Sequence, residues 1–267
     1  MATTRKPTPD WALDSFERLL DHIEEAAELL HLSMRGVAVL RAMPKVVEAL
    51  ANAKPDDPVD GHDPQARLER AKSEASLAQR EVENEFPLLH AQATVSLWGD
   101  LENSVRTFVA QWLRNAPEAK VVDAVSKLKV CLGEYEAMDE EDRCYYITER
   151  LEQELESRNR RGVARFEALL QPFGLAGAVP EDTERILFEL YHVRNVLVHR
   201  RGVADRKLVQ ACPWLGLAPG DQVRVSHEHY ARYHGAVAAY ALELIVRVAG
   251  QFGFERSELI KDKPQAN

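Results

Sequence analysis

The chain has 267 residues, of which 29% are charged, and its formal net charge is −9. This acidic balance argues against a protein that coats DNA, because non-specific DNA binding depends on a basic surface. Leu, Ala, Glu and Arg are abundant while Gly and Pro stand at 13 each, so the composition favours helix over sheet and predicts an all-α protein.

The cysteines and the hydropathy pattern predict where the protein works. Cys131, Cys144 and Cys212 are an odd number without CxxC spacing, which suits reduced thiols better than a disulfide framework. No apolar run approaches the ~20 residues needed to cross a bilayer. The first residues show no apolar signal core. We therefore expect a cytoplasmic protein with no membrane partner.

Apolar residues recur at steps of three and four along most of the chain, which is the spacing of amphipathic helices. Leu13, Phe16 and Leu19 show this spacing first. Pro180, placed at the first helical position, and the acidic residues after it give the clearest helix start. Only residues 223–225 resemble a strand. The predicted helices cover residues 11–32, 34–52, 65–85, 88–114, 119–129, 140–158, 163–170, 180–202 and 226–252.

One segment breaks the helical pattern and predicts a linker. Residues 54–64 combine three prolines and a glycine with four aspartates, and they cannot continue a helix. The predicted organisation is an N-terminal helical region (1–53), the linker (54–64), a connecting helix (65–87), a helical domain (88–253) and a C-terminal tail (254–267).

No residue pattern predicts a metal site or a cofactor. The aspartates of the linker could suggest a calcium loop, but their spacing misses the EF-hand pattern. His227, His229 and His234 have a spacing that does not place all three on one helical face. We expect these histidines to face solvent or an interface.

The candidate chemistry lies near the end of the helix predicted over residues 180–202. Arg194 and His199 are five residues apart and point about 140° away from each other at 3.6 residues per turn. A frayed helix end or a neighbouring chain could bring them together. Asn195 and His199, four apart, share a face. The helix C-terminus favours protonated His199 and the adjacent Arg200 opposes it, so the imidazole can serve as acid or base.

These residue types suit metal-independent cleavage of RNA. Histidine can take a proton from the 2′-hydroxyl or give one to the leaving 5′-oxygen. Arginine can hold the phosphate through a bidentate fork, and asparagine can orient either group. Spacing alone is a weak signal, however. Arg185 and His192 also satisfy it, and most such pairs are surface residues without a function.

The run from Tyr191 to Asp205, YHVRNVLVHRRGVAD, resembles the signature of HEPN domains (higher eukaryotes and prokaryotes nucleotide-binding). That signature places Arg, a polar residue, three to five further residues and His near the end of a core helix. Arg194, Asn195 and His199 fit it, whereas Arg185 lacks the polar neighbour. Residues 88–252 as a whole look similar to bacterial HEPN proteins related to the RiboL-PSP group.

This resemblance implies a HEPN-like helical bundle and a homodimer in which two Arg/His sets meet. It also implies metal-independent endoribonuclease activity, as in toxins or antiviral defence effectors. Glu102, Arg200 and Arg201 would support the site. An antitoxin or regulatory partner is implied too, but nucleotidylated HEPN toxins carry Tyr two residues after the His, and Arg201 stands there. The alternatives are a catalytically inactive module that binds RNA, nucleotide or a partner protein, and a purely structural dimerisation protein.

Overall fold

A computed structural model of the protein describes residues 8–53, 63–155 and 160–254. Strand-like pairing within these ranges is limited to one isolated bridge between Val203 and Gln222, so the predicted all-α class is confirmed. The α-helices of the described ranges are α1 (Asp10–Leu40), α2 (Met43–Ala53), α3 (Pro64–Glu83), α4 (Pro87–Asn115), α5 (Asp123–Ser126), α6 (Leu132–Ala137), α7 (Glu140–Glu154), α8 (Ala164–Leu170), α9 (Glu181–Arg200), α10 (Arg206–Ala211) and α11 (His227–Gln251).

Helix α4 lies at the centre of the bundle and contacts α1, α7, α8, α9 and α11. Its Phe108 packs on Phe16 of α1 with ring centroids 4.9 Å apart, and its Trp98 stacks on Phe166 of α8 at 5.3 Å. Tyr240 of α11 is fully buried in the same core. The first half of α1 therefore shares one hydrophobic core with the helical domain rather than forming a core of its own.

Helix ends were predicted well where a local cap specifies them. Ser226 accepts a hydrogen bond from the His229 amide at 3.2 Å and begins α11, as predicted. Asp63 accepts from the Gln65 amide and begins α3, so the end of the predicted linker belongs to a helix start. Residues 54–62 of that linker and residues 255–267 of the predicted tail lie outside the described residues.

Other predicted boundaries are wrong. The predicted break between 32 and 34 does not exist. Helix α1 continues to Leu40, and within it the Ser33 hydroxyl donates to the Leu29 carbonyl. A helix over 119–129 is replaced by a 3-10 segment (Pro117–Val121) and the single turn of α5. Helices α6 and α10 are too short for periodicity to show them. Residues 223–225 form no strand.

The helix of the candidate site also differs at both ends. Pro180 is the residue just before α9 rather than its first helical residue, and α9 ends at Arg200 rather than at 202 because Arg201 takes the left-handed conformation. Helix α7 ends at Glu154 instead of 158, and residues 156–159 are not described. No helix in the described ranges is long and apolar enough to cross a membrane.

Candidate functional site

The core fixes the position of α9. Leu187, Leu190 and Val193 are buried, and they recur at the helical spacing predicted for the inward face. Trp98 of α4 meets Tyr191 edge to face with centroids 5.4 Å apart. The last turns of α9, which carry the candidate residues, therefore extend from a rigidly packed helix.

Backbone hydrogen bonds hold the end of α9 in a regular conformation. The Gly202 amide donates to the Val196 carbonyl at 3.1 Å, and the Gly202 carbonyl accepts from the Val223 amide at 2.7 Å. Arg201, with φ of 54°, makes the turn between them. Because α9 stays helical through Arg200, fraying does not bring Arg194 and His199 together. They remain on different faces within one chain.

Arg194 is half-buried and incompletely paired. Its Nη1 donates to the Asn195 side-chain oxygen at 3.2 Å. Its Nε is buried and has no hydrogen-bond partner. A buried donor without a partner is unfavourable. The guanidinium group of Arg194 is therefore only partly satisfied by hydrogen bonds within the chain.

His199 is exposed on the last turn of α9, and in the described part of the chain its ring makes no hydrogen bond or ion pair. Nε of the neighbouring Arg200 lies 3.9 Å from Oδ2 of Asp205, which is a weak ion pair because the distance is long. Asp205 also accepts from the Leu208 amide and begins α10, so this carboxylate has a structural role. The His199 ring is therefore accessible to a substrate or to a second chain.

The second sequence match, Arg185 and His192, has a structural explanation. His192 is buried between Phe188 and Tyr191, with centroid distances of 4.7 and 5.1 Å. Burial is the main cause that lowers the pKa of His192 to about 4, so its ring is neutral at pH 7. Arg185 lies over the ring of Trp214 at 4.5 Å. The buried, neutral His192 is therefore not available for chemistry on RNA.

Glu102 does not join the candidate site. Its carboxylate pairs with Arg106 at 3.1 Å and with Arg165 at 2.9 Å, and no hydrogen bond or ion pair connects it with Arg194. Arg106 also donates twice to Glu152 of α7, at 2.9 and 3.0 Å. This network ties α4 to α7 and α8, so Glu102 has a structural role there, and its supporting role in the candidate site stays a prediction.

Comparison with protein families, with curated proteins and with solved structures gave no match. The geometry at the end of α9 and the motif resemblance therefore carry the functional argument.

A cleft of about 820 Å³ opens beside the end of α9, and no sequence motif predicted it. We call it the α4–α9 cleft; it is lined by residues of the α3 end, the first half of α4, the α9 end and residues 222–224. Leu197 and Arg201 reach it, whereas His199 is not among its lining residues. Arg80 and Arg224 complete its basic rim. Only the apolar spacing of α4 hinted at it.

The histidines near the start of α11 have separate partners. His229 contacts the Ser226 hydroxyl at 2.9 Å, and His234 lies 3.3 Å from the Ile23 carbonyl. His227 packs against His31 and His90 with centroids 5.6 and 5.7 Å apart. Among the described residues, no three His, Cys, Asp or Glu side chains are placed to share a metal ion.

Proposed function

We propose that the protein is a metal-independent endoribonuclease of the HEPN type, in which Arg194 and His199 carry the chemistry and Asn195 orients them. The observation that carries the proposal is a half-buried Arg194, whose guanidinium is only partly hydrogen-bonded, on the same helix end as an accessible His199. The motif resemblance of residues 191–205 supports it. The guanidinium of Arg194 suits charge stabilisation, and the imidazole of His199 suits proton transfer.

The reaction follows from what these groups can do. His199 removes the proton of the substrate 2′-hydroxyl, whose oxygen attacks the adjacent phosphorus in line with the leaving group. The bond from phosphorus to the 5′-oxygen breaks, and that oxygen takes up a proton. Arg194 donates to the phosphate oxygens as their charge grows. The products are a 2′,3′-cyclic phosphate and a 5′-hydroxyl.

The geometry within one chain leaves the two groups about 140° apart. A homodimer with the α9 ends at its two-fold axis would place Arg194 of one chain near His199 of the other. Val198, between them in sequence, is 45% exposed and offers an apolar contact. We expect a dimer mass by light scattering at micromolar concentration, and a monomer mass would contradict this arrangement.

The activity test compares wild type with Arg194→Ala, His199→Ala and Asn195→Ala on a mixed RNA pool. We expect the first two to lose cleavage and the third to keep part of it, because one group cannot replace the other. His227→Ala is the matched control, since it also removes an exposed histidine at a helix end. Circular dichroism checks that helical content is unchanged. Wild-type cleavage rates in both Arg194→Ala and His199→Ala would disprove the site.

The mechanism has its own test. Cleavage should persist in excess EDTA, yield 2′,3′-cyclic phosphate ends and spare RNA with a 2′-deoxy substitution at the cut. Products with 5′-phosphate, or activity that EDTA abolishes and magnesium restores, would contradict the mechanism even for a genuine nuclease. A toxin or defence effector of this kind would need an antitoxin or another regulator. Arg201 at the position of the modified Tyr argues against control by nucleotidylation.

The second candidate is a HEPN-like module that binds RNA, nucleotide or a partner protein without cleaving. The net charge of −9 favours it over a nuclease that holds long RNA electrostatically. Gel-shift binding of RNA by wild type, with no cleavage in any variant, would select this alternative.

A further inference from the structure

The α4–α9 cleft has an apolar wall that extends along one helix. Pro87, Ala91 and Val95 follow each other at steps of four on α4, which spans about 12 Å at 1.5 Å per residue. Leu197 and Val223 line the same cleft from other elements. The result is an elongated trough whose volume of about 820 Å³ suits a small-molecule ligand.

The rim of the cleft is basic although the protein is acidic. Three arginines line the cleft, Arg80, Arg201 and Arg224, whereas Glu81 is its only acidic lining residue among the described residues. Glu81 accepts from the Leu88 amide at 3.3 Å at the start of α4, so its charge already has a donor. Three guanidinium groups against one engaged carboxylate favour an anion at this rim.

Two features of the cleft disfavour a nucleobase. None of the described residues that line it is aromatic, whereas proteins that bind single-stranded nucleic acid stack bases on aromatic rings. Two of the three side-chain amides that line it, those of Asn84 and Gln222, are also occupied, and only Gln92 is left to read a base edge. Asn84 accepts from Arg224 at 3.1 Å and donates to the Arg80 carbonyl at 2.7 Å, and Gln222 donates to the Arg201 carbonyl at 3.3 Å.

We propose that the α4–α9 cleft binds an aliphatic carboxylate, with the acyl chain along Pro87, Ala91 and Val95 and the carboxylate at Arg201 and Arg224. The apolar wall removes the chain from water, and the guanidinium groups donate to both carboxylate oxygens. This binding activity goes beyond ribonuclease chemistry and does not depend on it, since neither Arg194 nor His199 lines the cleft.

Isothermal titration of the full chain with decanoate, below its micelle concentration, tests the proposal. We expect saturable binding at one site per chain. Ala91→Phe fills the trough and should abolish binding. Arg224→Ala removes a charged donor and should weaken binding about tenfold. Asn103→Phe, an exposed α4 position outside the cleft, and Arg18→Ala, an exposed arginine on α1, should bind as wild type does.

Several outcomes would overturn the proposal. Absence of saturable decanoate binding up to about 1 mM would remove the site. Equal affinity for 1-decanol would show that the arginines do not recognise the anion. Tighter binding of adenosine monophosphate than of decanoate would replace the ligand class. Thermal melting checks the fold of Ala91→Phe, and Val95→Phe repeats the test. Unchanged binding in folded forms of both would place the ligand elsewhere.

Discussion

Lowering the pH should destabilise the protein through His192. The side chain is 6% exposed, and burial, reinforced by the charge of Arg161, lowers its pKa to about 4. In the unfolded chain the pKa is about 6.5, so the unfolded state takes up a proton first as the pH falls. The contribution of neutral His192 to the free energy of unfolding is therefore fully present well above pH 6.5, and it is lost as the pH falls towards 4. At pH 5 this one group costs about 2 kcal/mol relative to pH 8.

Urea unfolding of wild type and His192→Phe at pH 8 and at pH 5 measures this contribution. Phe keeps the ring between Phe188 and Tyr191 and removes the titrating group. We expect the variant to lose about 2 kcal/mol less stability than wild type between the two pH values. His90, whose pKa burial also lowers, adds a loss of the same sign in both proteins. Equal losses in both proteins would refute the neutral, buried state of His192.

Three substitutions test the contacts that hold the bundle. Arg106→Met should lower the free energy of unfolding by about 3 kcal/mol, because Glu152, 4% exposed, would lose both hydrogen bonds that Arg106 donates to it. A change in urea midpoint within error would contradict this. Gly202→Ala should lower the free energy of unfolding by about 1–2 kcal/mol, since φ of Gly202 is 76° and the new Cβ would lie 2.5 Å from Gln222 Nε2. An unchanged melting temperature would show that the turn relaxes freely. Ser226→Ala should cost about 1 kcal/mol through loss of the α11 cap, and undiminished thermal stability would mean that water replaces it.

The long helices could be predicted from the sequence because apolar spacing and helix caps involve residues close together in the chain. Ser226 identified a helix start correctly since cap and amide are three residues apart. Ser33 stands at the break predicted between the first two helices, but its hydroxyl bonds back to Leu29 inside α1. No local signal distinguishes a capping serine from one inside a helix. That choice depends on whether the residues beyond it can pack, which the tertiary structure decides.

The candidate site was predictable only in part. Helical period alone gives the shared face of Asn195 and His199. The unpartnered Nε of Arg194 and the burial that makes His192 neutral depend on how α9 packs against the other helices, which the helical period does not give. The α4–α9 cleft joins residues more than 100 positions apart, such as Asn84 and Arg224, so no motif could show it.

The turn that ends α9 has a dynamic consequence. Residues 202–204 and 220–223 are joined by the amide of Ala204 to the Asp221 carbonyl at 2.8 Å, and by that of Gly220 to the Ala204 carbonyl at 2.9 Å. Together with the bond from Val223 to Gly202, these contacts connect the end of α9 to the start of α11. The amide hydrogens of residues 202–204 and 220–223 should therefore exchange with solvent deuterium as slowly as those of α9 and α11, in one cooperative opening event. A stretch that reads as a glycine-containing loop would then behave kinetically as core.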